Sequence, residues 1–373
     1  MPRGSASRPI GARGFPATAQ PPQTALGRAI WDASCAEGVS VNERTVLERR
    51  RDPFRLDVAA QHRDGQWVAA QLARFKPHGT VHIRGLHYLL VAAGGIVKPD
   101  GAVYRNTDED WNWLMERASK AARWLGYVPF ARIVDQRNNE PEVWEAAPDI
   151  HPYASISVGA HIEVPELASV LPDVWGSGFA GEQPYRIIFI GEKSSLGPVL
   201  RPLAGQVRGE LILANGEMSD TLIYEMAQRA AADGRPAVIL YFADFDPSGH
   251  EMPANVARKL QALTIENFPK LVIEVHAVAL TLDQVRQYNL PSTLLKETEK
   301  RGDRWRRAMG HEPTEIDALA ALQPEVLRAI AEDAVEPFFD FCLAERVREA
   351  HVQWHRQAEA ALHAHPSRLQ RCL

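Results

Sequence analysis

Short, unbroken apolar runs constrain this chain more than any other feature. Ile187, Ile188, Phe189 and Ile190 form one, closed by Gly191; Leu211, Ile212 and Leu213 form a second; Val238, Ile239, Leu240, Tyr241 and Phe242 form a third, opened by Pro236. Runs this short, rich in β-branched and aromatic residues, suit strands of a parallel sheet buried on both faces, because a sheet with one wet face demands alternation. Between the second and third runs, the stretch from Ser219 or Asp220 through Ala232 has helical patterning, a polar opening, and Asp233-Gly234 as its stop. Residues 270–280 supply a further strand, and 281–290 a short helix begun at Thr281 or Asp283. Strand and helix in alternation predict an α/β domain with right-handed crossovers.

Carboxylates follow two of these runs. Glu192 comes directly after the first, and Asp244 and Asp246 come directly after the third. In open parallel sheets the reactive groups gather beyond the carboxyl ends of the strands, which is where all three fall. Three neighbouring carboxylates repel one another and raise each other's pKa unless a divalent cation neutralises them. An all-oxygen set suits Mg²⁺, one ion or two, with Mn²⁺ able to substitute. The alternative is local: acidic residues after a strand also cap helices, and Asp246-Pro247-Ser248-Gly249 is an ordinary turn sequence.

Taken together, Glu192-Lys193 after a strand, a glycine-containing turn into a helix (Asn215, Gly216, Asp220), and the DFDPSGHEM segment after a later strand resemble a Toprim domain. The form is similar to that of the topoisomerase VI A subunit and its relative, the meiotic double-strand-break transesterase. Glu192, Lys193, Asp244, Asp246, Pro247 and Gly249 occupy the positions of that family's Glu-Lys and Asp-x-Asp-Pro-x-Gly motifs, and the likeness covers roughly residues 183–290. The family places a winged-helix domain before its Toprim and carries a tyrosine nucleophile there. Upstream, Arg84 precedes Tyr88 by four residues, which resembles the family's Arg-x-x-x-Tyr element, with His87 standing where relatives have Tyr or Phe.

Residues four apart share one helix face, so the Arg84 guanidinium could hold a phosphate near the Tyr88 phenol. A phenol with an ordinary pKa of about 10 needs such positive charge, or a metal, to act as a nucleophile. From the residues alone, without the resemblance, Tyr88 reads more readily as a core aromatic of an amphipathic helix with Leu86, Leu89, Leu90 and Val91. His82 and His87 are expected at the surface or in packing, and no Cys or His spacing suggests zinc.

Between residues 102 and 138, Thr107 and Asp110 resemble a capping box, followed by an apolar stripe of Trp111, Leu114, Ala118, Ala121, Ala122 and Leu125. Arg117, Lys120 and Arg123 lie off that stripe, and Arg132 and Arg137 fall in the expected wing. These five are the candidate contacts to double-stranded DNA, the alternative being a solvated basic face. Lys296, Arg301, Arg304, Arg306 and Arg307 make the densest positive charge, suited to phosphate or to a solvated loop. Glu315 and Asp317 are second-rank acidic candidates, either joining the metal site or capping a helix.

The expected organisation is a disordered arm over 1–28, a helical extension and winged-helix domain over 29–137, and a linker with an edge strand over 138–182. The Toprim domain with its helical completion follows over 183–345, and a C-terminal helix or tail over 346–373. At 373 residues and 45% hydrophobic, the chain has room for two cored domains. A net charge of −5 requires any DNA contact to be a local basic surface. Three scattered cysteines, Cys35, Cys342 and Cys372, and the lack of a membrane-length apolar stretch or signal-peptide core suggest a cytoplasmic protein with no membrane partner, and the resemblance implies that it is nucleoid-associated.

The resemblance implies Mg²⁺-dependent DNA cleavage by tyrosine transesterification, in a homodimer where one subunit's tyrosine meets the other's metal site. It also implies a separate ATPase subunit for strand passage, since the chain has no Walker-type loop. Two alternatives are a Toprim nuclease using activated water and a non-catalytic DNA-binding subunit.

Overall fold

The computed structural model describes residues 29, 31, 32, 52–77, 79–135, 140–144, 153–157, 173–214, 216–293 and 301–364. The arm over 1–28, Cys35, Arg137, Asn215, Lys296 and Cys372 lie outside the described residues. The chain divides into two compact units, Met1–Val143 with Arg186–Val335, and Trp144–Tyr185 with Glu336–Leu373.

The first unit begins with helix α1 (Ala59–Phe75), a two-residue strand β1 (Val81–His82) and helix α2 (Ile83–Ala93). Helix α3 (Asp108–Trp113) follows, capped as expected by the Thr107 side chain, which accepts from the Asp110 amide. It runs through a π-helical turn, Leu114–Ala118, into α4 (Ser119–Trp124). Strand β2 (Ile133–Val134) comes next. These elements share a core of Val68, Leu72, Ile83, Leu86, Leu90, Leu114, Ala118, Ala122 and Ile133, among others. The wing expected around Arg132 takes a different form. β2 pairs in parallel with β1, Val81 opposite Ile133, because Ile133 is wholly buried in that core.

Further along are β3 (Glu142–Val143), β4 (Tyr153–Ser157) and β5 (Asp173–Ser177), then β6 (Arg186–Gly191), α5 (Gly197–Gln206), β7 (Glu210–Leu213), α6 (Asp220–Asp233) and β8 (Ala237–Phe242). After β8 come α7 (Met252–Glu266), β9 (Ile273–Ala279), α8 (Leu282–Gln287), α9 (Gly302–Met309), α10 (Ile316–Leu322) and α11 (Pro324–Val335). The sheet has the order β3-β7-β6-β8-β9. The four long strands are parallel and β3 is an antiparallel edge.

The apolar runs account for this sheet. Ile188, Ile190, Ile212, Ile239 and Tyr241 pack on one face against Leu222, Met226 and Ala230 of α6 and Val256, Leu260 and Leu263 of α7. Residues of opposite parity, Ile187, Phe189, Val238 and Leu240, are buried as well, so neither face is wet. Helix α6 has the expected bounds: the Ser219 hydroxyl accepts from the Leu222 amide, and Gly234 closes the helix at φ +83°, a left-handed conformation that costs glycine little. Thr281 and Gln284 form a complete capping box on α8.

The helical module and the sheet are joined by buried charge. Arg123, at the end of α4, donates to both carboxylate oxygens of Asp135 and to the Thr221 hydroxyl. Asp220 accepts from the Trp124 indole at 3.0 Å and pairs with Lys259 at 2.9 Å. Phe130 stacks on Tyr224, with ring centres 4.5 Å apart.

In the second unit β4 and β5 pair antiparallel, and helix α12 (Leu343–His363) contacts β5. Phe179 stacks on His351 and lies beside Trp354. Residues 138–182 are therefore more than a linker. The strand expected at the edge of the main sheet pairs in a hairpin of its own, and β3 takes the sheet edge. Among the described residues, no helix is long and apolar enough to cross a membrane.

Candidate functional site

Glu192 leaves β6 at the centre of the sheet, and Asp244 leaves β8 beside it. The Glu192 amide donates to the Phe242 carbonyl at 2.9 Å, and the Asp244 amide donates to Glu192 Oε2 at 2.9 Å. Burial pushes the Glu192 carboxyl up to about 7, and the charges of Asp244 and Asp246 add to that against the amide bond. Burial also raises the Asp244 carboxyl, opposed by the Ile316 amide and Lys193. Asp246 accepts from the Ser248 and Gly249 amides at 2.8 and 2.6 Å, so the turn reading of this segment holds too. A Cβ on Gly249 would collide with the Asp244 carbonyl oxygen, which restricts the position to glycine.

Lys193, next to Glu192, is the hub of the site. Its ammonium lies 2.9 Å from Asp244 Oδ2, 3.1 Å from Glu315 Oε2 and 3.0 Å from Asp317 Oδ2. Burial works against the charged lysine, but the bonds to Asp244, Asp317 and Glu315 outweigh it and hold the pKa above the ordinary lysine value. Glu315 and Asp317 reach the site because Phe245 and Thr314 exchange two backbone hydrogen bonds and the Ile316 amide donates to Asp244 Oδ1 at 2.8 Å. Ser195 donates to the other oxygen of Asp317. The second-rank acidic pair thus joins Asp244 through a lysine.

The three carboxylates expected to hold Mg²⁺ share one end of the sheet, and their donor chemistry fits a hard cation. The Tyr241 hydroxyl, buried and under the influence of the Glu192 charge, has no hydrogen-bond partner among the described residues. The geometry is less complete than the donor set. Among the described residues, no group of three or more His, Cys, Asp or Glu side chains is arranged to hold a metal ion. Both Asp244 oxygens are engaged by protein, and one Asp246 oxygen is taken by its own turn.

Glu192 carries a pH prediction. An unfolded glutamate titrates near 4.3, so between about pH 4.5 and 7 the folded chain keeps a proton the unfolded chain has released. Stability of the metal-free protein should fall as pH rises through that window, then level off, with Asp244 acting in the same direction. Glu192→Gln should remove most of the slope and stabilise the protein at pH 8 by on the order of 3 kcal/mol, since each tenfold change in proton affinity between the two states is worth roughly 1.4 kcal/mol. Urea midpoints measured in chelator across that range check it; an unchanged slope in the variant would refute it.

Tyr88 is not a core residue. Ile83, Leu86, His87 and Leu90 form the buried face of α2, whereas Tyr88 is 62% exposed and Arg84 is exposed. His87 is a packing residue, as expected, bonded to the Tyr104 hydroxyl at 2.7 Å and to Asn106 at 3.1 Å. The His82 side chain caps α2 by accepting from the Arg84 amide.

The expected DNA contacts fare differently. Arg123 and Lys120 are buried, Arg123 in the junction and Lys120 against Glu116 at 3.2 Å. Arg117 pairs with buried Asp64, and Arg132 donates to the Pro77 carbonyl at 2.6 Å. The π-helical turn at Leu114–Ala118 widens the helix just before Lys120 and Arg123, and every residue of Ser119–Arg123 is buried. An ideal helical stripe misassigns such residues to solvent.

In the second basic group Arg301, Arg306 and Arg307 are similarly occupied. Arg301 donates to the Pro247 carbonyl, to Ser248 Oγ and to Glu251, bracing the turn that carries Asp246. Arg306 pairs with Glu312, and Arg307 donates to the Asp303 carbonyl. Sequence reasoning missed Ser195 and the bracing role of Arg301; neither belongs to a recognisable motif. No protein-family model matches the chain, and a search of curated proteins returns no match.

Proposed function

We propose that this protein cleaves double-stranded DNA by tyrosine transesterification, in the manner of a topoisomerase VI A subunit. The observation that carries the reading is the meeting of Glu192 and Asp244 at the carboxyl ends of adjacent parallel strands, with Lys193 and Asp246 at the same place. The Tyr88 hydroxyl would attack a backbone phosphate. A bond forms between the phenolic oxygen and phosphorus, the bond to the 3′ oxygen breaks, and that oxygen leaves as a 3′ hydroxyl. The 5′ phosphotyrosyl link conserves the bond energy, so the strand can be resealed without ATP. Arg84 and Lys193 would orient the phosphate. Mg²⁺ held by Glu192, Asp244 and Asp246, as one ion or two with Mn²⁺ able to substitute, would stabilise charge on the phosphate and the leaving oxygen.

In this proposal the helical module that carries Tyr88 meets the duplex, the protein acts as a homodimer cutting both strands, and a separate ATPase subunit supplies strand passage. The test uses supercoiled plasmid and Mg²⁺, quenched with detergent and assayed for protein joined to 5′ ends. Wild type should give the adduct, and Asp244→Ala should lose it by at least roughly a hundredfold. An undiminished adduct in Asp244→Ala would refute the assignment of this sheet end. Free nicked or linear DNA without adduct would indicate a nuclease using activated water, and binding without cleavage a non-catalytic subunit.

A further inference from the structure

The Lys193 ammonium does something the proposed mechanism does not require. It ties Asp244, at the end of β8, to Glu315 and Asp317, at the start of α10. It is a positive charge set among the carboxylates of Asp244, Glu315 and Asp317 at the acidic end of the sheet. Three other hydrogen bonds hold the same junction, the two exchanged between the Phe245 and Thr314 backbones and that of the Ile316 amide to Asp244 Oδ1. A divalent ion taking Asp244 Oδ2 as a ligand would meet the ammonium 2.9 Å from that same oxygen. Like charges at such a distance repel strongly, and one oxygen lone-pair region cannot serve both.

We propose that Lys193 is an intramolecular counter-cation that latches α10 onto Asp244, and that divalent-ion binding and this lysine bridge are mutually exclusive. The proposal rests on the metal reading above and adds a switch to it. Without the ion, the lysine closes the site and pins Glu315 and Asp317. With the ion, the ammonium leaves Asp244 and becomes available to a DNA phosphate, and the start of α10 is loosened.

The test uses Mn²⁺ alone, without DNA, on the full chain at neutral pH. Mn²⁺ binding by electron paramagnetic resonance is compared between wild type and Lys193→Met, and amide hydrogen exchange over residues 312–322 is followed in wild type with and without Mn²⁺. Lys193→Met should bind Mn²⁺ at least about tenfold more tightly, because a competitor has been removed. Saturating Mn²⁺ should speed exchange over 312–322 severalfold in wild type, a readout that does not depend on the variant folding. Equal or weaker binding by a folded Lys193→Met, or unchanged exchange in Mn²⁺-saturated wild type, overturns the latch while leaving the metal site standing. No Mn²⁺ binding by wild type or variant overturns both.

Discussion

Tyr88→Phe should abolish the covalent protein–DNA adduct, by about a thousandfold or more, while leaving the fold untouched. The size follows from the proposed chemistry: the phenolic oxygen would be the atom that bonds to phosphorus, and phenylalanine carries no nucleophile in its place. Sparing of the fold follows from position. Tyr88 is 62% exposed, its ring meets His87 edge-on, and the buried face of α2 is made by other residues. Removing one hydroxyl from such a site should shift the urea midpoint by no more than about 0.5 kcal/mol in stability. A lost adduct with an unchanged midpoint is the expected pair of results. Cleavage that continues in Tyr88→Phe would transfer the reaction to activated water.

The second large effect lies in the buried junction rather than the site. Asp220 is 2% exposed and accepts from Trp124 at 3.0 Å, pairs with Lys259 at 2.9 Å, and has Arg123 at 3.8 Å. Asp220→Asn preserves shape but leaves Lys259 buried opposite a neutral amide, while Arg123 keeps Asp135. Breaking a buried ion pair from one side costs about 3–5 kcal/mol, because the remaining charge has no water to return to. Urea unfolding at pH 7 reads this directly, and a loss under about 1 kcal/mol would show the junction to be solvated.

The same carboxylates set the acid limb of stability. Burial opposes their charge, but Lys259, Lys120 and Arg123 hold the Asp220 carboxyl far below the ordinary range, and Arg123 holds Asp135 below it. Their contribution is therefore fully present above an unfolded aspartate pKa of about 3.9 and is lost as pH falls through the folded values. Asp220→Asn should flatten that limb. Glu192 acts in the opposite direction, so the metal-free protein should be most stable at about pH 4 to 5, between the two windows.

How much of this was legible beforehand depends on the range of the interaction. The four parallel strands, the ends of α6 at Ser219 and Gly234, and the capping of α3 and α8 all follow from residues within a few positions of one another. Placement of Glu192, Asp244 and Asp246 at one sheet end was legible for the same reason, since each follows a recognisable strand. The side on which Lys120 and Arg123 lie was not. It depends on a π-helical turn and on Asp135 and Thr221, the latter 98 residues away from Arg123. The pairing of residues 153–157 with 173–177, and of β1 with β2, was equally hidden, because strands of two to five residues leave too short a pattern to specify a partner.

Local patterning was thus enough to write the sheet, its crossover helices and the acidic character of its carboxyl end, because propensity, capping and burial periodicity act along a few turns of chain. Which charges face one another was settled by folding alone. Lys193 and Glu315 stand 122 residues apart, and a salt bridge at that separation leaves no periodic trace for the chain's order to reveal. It comes into being when β6, β8 and the start of α10 are packed together and bring one ammonium within reach of Asp244, Glu315 and Asp317.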